Sequence, residues 1–595
     1  MNRRQFVQSA SGALSSAFAA ERLLAAKAEG MEIIQSGAGD WKKVPSALVY
    51  FDWHRTIARP RSSPGLTNWC TLDQDPDSKT VLLSFCEITD PTGKFRNDPP
   101  RYDFSQLSRI QRFLNSNDRG ETWQSLVEHP ILSRPDAWQL NGTWHRIKFL
   151  SGKTMLGLVH EHTQKGRRPM VFWGHSRDMG QTWSNWRALS DDPNRGMYGG
   201  DLCRLKDGRW IYFYEVFDLR LPFFKRRIRR RPEVWLESPI SPRRFGCAIS
   251  EDGGLSWKDR PDLDISMEAG LNQGEPFEPG VIQLQNGNLL VAVRRHRMAA
   301  FGGEGLTWYQ WILEPTQSGF KILSHQECRA DIPLGPTGHP KLLRTHDDIS
   351  LAVRSDGLWG SVNGGDYWEK LESQYLGYYP QGIELDDGSL LVAGHLGGDD
   401  AWPPEKDQEI RLTRLHLDRT PILRNLNPLT QQAVKLDDPT LRDVRVQCRL
   451  GTDGSAGVLA RATLSEGKLS GYVFYVTAQT PSWVLGRMES GKLAVIGTGK
   501  LNGLNLTRTR PRLELAVVGE VVRAFVDTYP VASGKDRTFK EGCCGVLVEK
   551  GRVRIESYEV QSSVTLREIG GEKVELVDDL GAMGYGQVAD NWQSL

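Results

Sequence analysis

The chain has 595 residues, of which 39% are hydrophobic and 25% charged, with 60 glycines and a formal net charge of +2. That length exceeds one ordinary core, so two domains are expected. The near-neutral balance gives no reason for a nucleic-acid partner, and past the N-terminus no run reaches the ~18 apolar residues of a membrane helix.

Residues 1–28 read as an export signal. Arg3-Arg4 precede Phe6 and an Ala/Ser-rich run in the manner of a twin-arginine leader, and Ala26-Lys27-Ala28 offers a small-x-small cleavage site. The expected location is therefore periplasmic or extracellular. The eight cysteines are scattered, with Cys543-Cys544 the one close pair. Export permits disulfides but their pairing is not readable. His160-Glu161-His162 lacks a third ligand, and neither a metal nor a cofactor is expected.

Between 41 and 418 two patterns repeat. An octapeptide recurs as SNDRGETW at 116–123, SRDMGQTW at 176–183, SEDGGLSW at 250–257 and SVNGGDYW at 361–368. Its chemistry is that of a turn: Asp accepts backbone N–H groups, Gly supplies a positive φ and Trp buries beneath. A hairpin also recurs six times, at 68–87, 145–160, 200–215, 278–294, 340–354 and 379–395, each followed by further strand-like runs. Four-stranded units repeated radially make a propeller, and six units predict six blades. Ser46–Phe51 (SALVYF) is expected to supply the outer strand of the last blade.

The fourth hairpin carries the chemistry. If Asn286-Gly287 is a two-residue turn, Pro279 faces Arg294 and Glu278 lies beside that arginine. The octapeptides occupy the third turns, on one face of the ring. The open hairpin ends lie on the other face, where Asn68, Glu87, His145, His160, Tyr198, Asp201, Glu215, Glu278, Arg294, Arg354, Tyr379 and His395 should converge on the channel. The insertion 220–242, with its basic run Lys225–Arg231, rises from that same face and could steer a polyanion.

After 418 the pattern changes. Residues 419–438 read as a proline-punctuated linker, 439–565 as a β-sandwich of short alternating strands, and 566–595 as a tail without pattern. The expected fold class is all-β, a six-bladed β-propeller followed by a jelly-roll-like sandwich. The sandwich is similar in hydrophobic pattern to the concanavalin-like domains of secreted glycosidases.

The octapeptide resembles the Asp-box (BNR repeat) of the sialidase superfamily, a structural turn there. The segment EPGVIQLQNGNLLVAVR resembles that family's glutamate-to-arginine hairpin, and YPQGIELDDG its tyrosine-bearing strand. The resemblance implies Tyr379 as nucleophile, Glu278 as its base, Asp103 as acid/base, and Arg294 and Arg354 as carboxylate ligands. The family's first-strand arginine falls on Asn68, and Arg146 is one candidate to compensate. The resemblance thus implies an exported exo-glycosidase removing terminal sialic-acid-like sugars by retaining chemistry. The alternatives are a hydrolase or lyase of another, uronic, sugar and a non-catalytic glycan-binding propeller. In each case the partner is a glycan, and the oligomeric state is open.

Overall fold

The structure, a computed structural model, describes residues 32–576 apart from short internal stretches, the longer being 95–106, 131–141, 162–169, 267–274, 297–304 and 426–432. The export signal lies outside the described residues. So does Asp103. Among the described residues no helix is long and apolar enough to cross a membrane.

Two compact units result. The first is a ring of six antiparallel sheets of four strands each, the third carrying a short fifth. The inner strands, in chain order, are Gly65–Gln74, Gly142–Ser151, Arg195–Arg204, Glu275–Gln283, Lys341–Arg344 and Tyr378–Glu384. Each packs beside the next, and the sixth returns to the first, closing the ring. The outer strand of blade 6 is Leu48–Ala58, so the start of the propeller clasps its end, as the SALVYF run predicts. Apolar clusters lie between successive blades: Leu205, Phe213 and Ile249 of blade 3 meet Leu289, Val291 and Trp311 of blade 4.

The repeated octapeptides are the third turns of blades 1, 2, 3 and 5. In blade 1, Ser116 Oγ donates to Asp118, Thr122 N–H and Oγ1 donate to the same carboxylate, and Trp123 Nε1 donates to Gly120 O at 2.9 Å. Each box leans on its neighbour: a Cβ on Gly120 would meet Leu391 of blade 6 and one on Gly180 would meet Phe113 of blade 1. The box is therefore a staple between blades. In blade 5 Asn363 takes the aspartate's place and still accepts Tyr367 N–H at 3.1 Å.

The hairpin turns correct the sequence reading. Gly287 N–H donates to Leu284 O at 3.0 Å and Leu284 N–H to Asn288 O at 2.8 Å, so the loop holds three residues, with Gly287 at φ 92°. The same closure recurs at Leu205–Gly208, Thr345–Asp348 and Leu385–Gly388. The longer loop shifts the register, and a bulge shifts it again, so that Phe277 rather than Pro279 faces Arg294.

The second unit is a two-sheet sandwich. Its seven-stranded sheet runs Glu32–Gln35, Ala433–Leu441, Gly542–Lys550, Ser455–Ser465, Lys468–Thr477, Ser482–Glu489, Lys492–Lys500, and the five-stranded sheet centres on Arg512–Val518. One core of residues such as Val446, Phe474, Leu515 and Val546 fills the space between them.

Three boundaries move. The 419–438 linker is partly strand: Ile422–Asn425 pairs with Trp41–Val44, and Ala433–Leu441 joins the seven-stranded sheet. Just past it, Pro439 sits in a bulge between Asp437 and Leu441, where a strand tolerates proline. The propeller accordingly starts at Leu48 rather than 41. The start of the tail also belongs to the sandwich, since Ile569 is buried against Ala516, Val521 and Phe525.

Candidate active site

The site is built on interruptions of the inner strands. Pairing with the second strand breaks between Asn68 and Thr71, between Phe277 and Gly280, and between Tyr378 and Gln381. The first unpaired residue of each bulge is left-handed: Trp69 at φ 48°, Glu278 at 49° and Tyr379 at 47°. Bulky residues reach that region at about 1–3 kcal/mol each, and such outliers cluster at working sites. The bulges turn these side chains out of the strand's alternation. Gly280 permits the close approach this requires, since a Cβ there would lie 1.9 Å from Pro340 O.

The consequence is a contact between blades 6 and 4, across blade 5. Tyr379 Oη donates to Glu278 Oε1 at 3.2 Å, and Arg294 Nε lies 2.6 Å from Glu278 Oε2. Each carboxylate oxygen thus has its own partner, and Glu278 is only 6% exposed. Its backbone N–H donates to Glu215 Oε1 at 2.8 Å. Burial opposes the charge on Arg294, but Glu278, Tyr379, Tyr378 and Glu215 together push its pKa above the ordinary value. Tyr378 supports Tyr379 edge-on, with ring centroids 4.6 Å apart, and stands 5.3 Å from the fully buried His395.

A second charged group crosses the axis. Asp201 of blade 3 accepts from Arg146 Nε of blade 2 at 2.9 Å and from Lys341 Nζ of blade 5 at 3.1 Å. Arg146 Nη2 stands 3.2 Å from His339 Nε2. Burial would raise the Asp201 pKa, yet Lys341 and Arg146 bring it down to about 2. Burial lowers Lys341 to about 8, with Asp201 opposing. His339 is pushed well below its ordinary value by burial and by Arg146, Arg294 and Lys341, so it is neutral and can accept from Arg146.

The structure therefore brings Tyr379, Glu278 and Arg294 into one cluster and Arg146 and Asp201 into another. It places two residues elsewhere than expected. Arg354 is fully buried: its Nε and Nη2 meet Asp356 at 2.7 and 3.2 Å, and its guanidinium lies 4.5 Å from the Trp308 ring. The strand ends there, with Arg354 paired to Gly357, and that tight return brings Asp356 onto the guanidinium. Asn68 is not the ring equivalent of Glu278 and Tyr379. Trp69 is, and it packs on Leu66, Cys86, Ile88 and Leu107. The Asn68 amide is fully buried, without a hydrogen-bond partner among the described residues. Lys341 and His339 belong to no motif; their one signal in the sequence is a position at the opening of the fifth repeat.

No family model matches the chain, and no curated protein matches it. Among solved structures it is similar to an alpha-L-arabinanase of Penicillium chrysogenum complexed with arabinobiose, at 13% identity and a TM-score of 0.41, over 62% of this chain and 98% of that one. It is also similar to a Hadza microbial sialidase, at 13% identity and a TM-score of 0.37, over 58% of this chain and 65% of that one. A carbohydrate-binding module, CBM66 from Bacillus subtilis, matches at 13% identity and a TM-score of 0.20, over 39% of this chain and 98% of that one. Likenesses this distant carry no argument about activity.

Proposed function

We propose that the propeller is an exported, retaining exo-glycosidase that removes a terminal acidic sugar from a glycan. The observation that carries this reading is the hydrogen bond from Tyr379 Oη to Glu278 Oε1 at 3.2 Å, with Arg294 held on the other carboxylate oxygen. A phenol is a weak nucleophile until a base takes its proton, and Glu278 is within reach to do so. A substrate carboxylate would repel an anionic carboxylate nucleophile, whereas a neutral phenol can approach; a tyrosine nucleophile is a recognised departure from the two-carboxylate scheme. No described residue takes the Nη groups of Arg294, which leaves that edge of the guanidinium for a carboxylate.

In the first step Tyr379 Oη would bond to the anomeric carbon as its proton passes to Glu278. The glycosidic bond would break, and an acid, for which Asp103 is the sequence candidate, would protonate the leaving oxygen. Water would then add to the anomeric carbon, giving its proton to the spent acid, as the glycosyl–tyrosine bond breaks and Glu278 returns its proton to the phenol oxygen. The Arg3-Arg4 leader supports export.

A second reading, a hydrolase or lyase of a uronic sugar, is favoured by Arg354 being engaged with Asp356 and by Trp69 occupying the bulge level of blade 1. The test is release of 4-methylumbelliferone from its sialoside and its glucuronide. Release from either, abolished by Tyr379→Phe, supports the glycosidase; the substrate that works decides between the sugars. Glycan binding with no turnover, unchanged in Tyr379→Phe, would overturn it.

A further inference from the structure

Glu215 lies within the second strand of blade 3 (Trp210–Asp218), on the face of the ring that carries the site, and is 3% exposed. It belongs to neither of the charged pairs described above, yet its Oε1 takes the backbone N–H of Glu278 from the neighbouring blade at 2.8 Å. That N–H belongs to the first residue of a bulge, where the ladder to the second strand is interrupted, and Glu278 there holds φ 49°. A bulge residue without ladder partners has no pairing of its own to fix its conformation, and a buried N–H left unmade would be costly. The Glu215 carboxylate supplies both needs with one charge-assisted bond. Glu215 is itself anchored, since it pairs with Tyr198 on one side and Phe245 on the other.

We infer that Glu215 is a positioning residue: by accepting the Glu278 N–H it fixes the left-handed bulge from which the Glu278 carboxylate reaches both Tyr379 and Arg294. The inference rests on the proposed base role of Glu278. It is separable from a simple charge effect on Arg294, because an amide oxygen can accept the N–H without carrying a charge.

The experiment compares Glu215→Gln with Glu215→Leu, in the wild-type and the Glu278→Gln backgrounds, on whichever acidic glycoside the wild type cleaves. E215L should lower kcat by about 10²-fold, the scale of a small misplacement at a reacting group, with little change in KM, and E215Q should stay within a few-fold of wild type. In the Glu278→Gln background E215L should cause no further loss, because Glu215 acts through that side chain. Equal damage by E215Q and E215L, or a full additional loss in the double variant, would overturn the inference. A crystal structure of the E215L protein gives an arm independent of turnover. The Glu278 φ should leave the left-handed region and the Tyr379–Glu278 bond should open; an unchanged bulge refutes the positioning role even if no acidic glycoside is cleaved.

Discussion

Gly280 is the position where a single methyl group should separate site geometry from fold stability. Its φ is not in the left-handed region, so alanine's own backbone preference is satisfied there. The obstacle is space: an added Cβ would lie 1.9 Å from Pro340 O and 2.9 Å from Pro340 C, where ordinary contact begins near 3.4 Å. The inner strands of blades 4 and 5 must then part by roughly 1.5 Å, because close-packed interiors have no slack to absorb the methyl. Gly280 is two residues beyond Glu278, and Pro340 lies between His339 and Lys341, so the strain enters both charged clusters. Overpacking of this kind costs about 1–3 kcal/mol. A shift near 1 Å at a reacting group costs on the order of 10²-fold in rate. Gly280→Ala should therefore remain folded, lose about 1–3 kcal/mol in urea unfolding, and lose about 10²-fold in kcat on the acidic glycoside. The control is Gly287→Ala at the tip of the same hairpin. Gly287 is at φ 92° with nothing within 4 Å of its Cβ, so alanine adds backbone strain of about 1 kcal/mol but touches no site residue. A G280A protein with kcat within threefold of wild type, or a G287A protein that loses as much activity, would refute the reasoning.

Two further predictions concern pH. Hydrogen bonds from the Thr182 hydroxyl and N–H bring Asp178 down from 3.8 to about 2. A carboxylate whose folded pKa is depressed contributes stability above its unfolded value that is lost as pH falls through the folded one. Asp178→Asn should thus flatten the decline of the urea midpoint between pH 4 and pH 2 while leaving the fold intact, as Asn363 does in blade 5; an unaltered slope would contradict it. For Lys341 the sign reverses. Its folded pKa of about 8 lies below the ordinary 10.5, so the unfolded chain binds more protons between those values and stability from this group rises with pH there. Lys341→Met should remove that rise between pH 8 and 10.5, and a wild-type-like slope in the variant would count against the buried amine.

Much of this architecture is legible in the residues because each blade repeats its own punctuation. The Ser-x-Asp-x-Gly-x-Thr/Ser-Trp turns mark third turns by their chemistry alone, and the six hairpins supply the count. Register is less accessible. Asn286-Gly287 reads as a two-residue turn, yet Leu284 closes a longer one, and nothing local in the chain distinguishes the two before the strands pair. Glu278 and Arg294 nevertheless meet, because Glu278 opens the bulge next to Phe277, the residue that pairs with Arg294. Arg354 shows the converse. Its repeat position matches that of a channel residue, but Asp356, two residues on, captures it, and such a local ion pair is invisible to alignment of repeats.

Left-handed residues are not a requirement of the blade. The inner strand of blade 3 breaks its pairing between Tyr198 and Asp201 with no left-handed residue there, and still completes its sheet in the ring. Three left-handed residues at about 1–3 kcal/mol each are a large burden on a domain whose net stability is of order 5–15 kcal/mol. A fold that can be built without them retains them in blades 1, 4 and 6, at one level of the ring. Two of the three deliver the side chains that hydrogen-bond each other across blade 5, and the third delivers Trp69. The strain is therefore spent on placing Glu278, Tyr379 and Trp69, and the surrounding close packing between blades must offset it. Relaxing any one bulge should on this argument stabilise its strand while dismantling the arrangement of side chains that the ring presents to its channel.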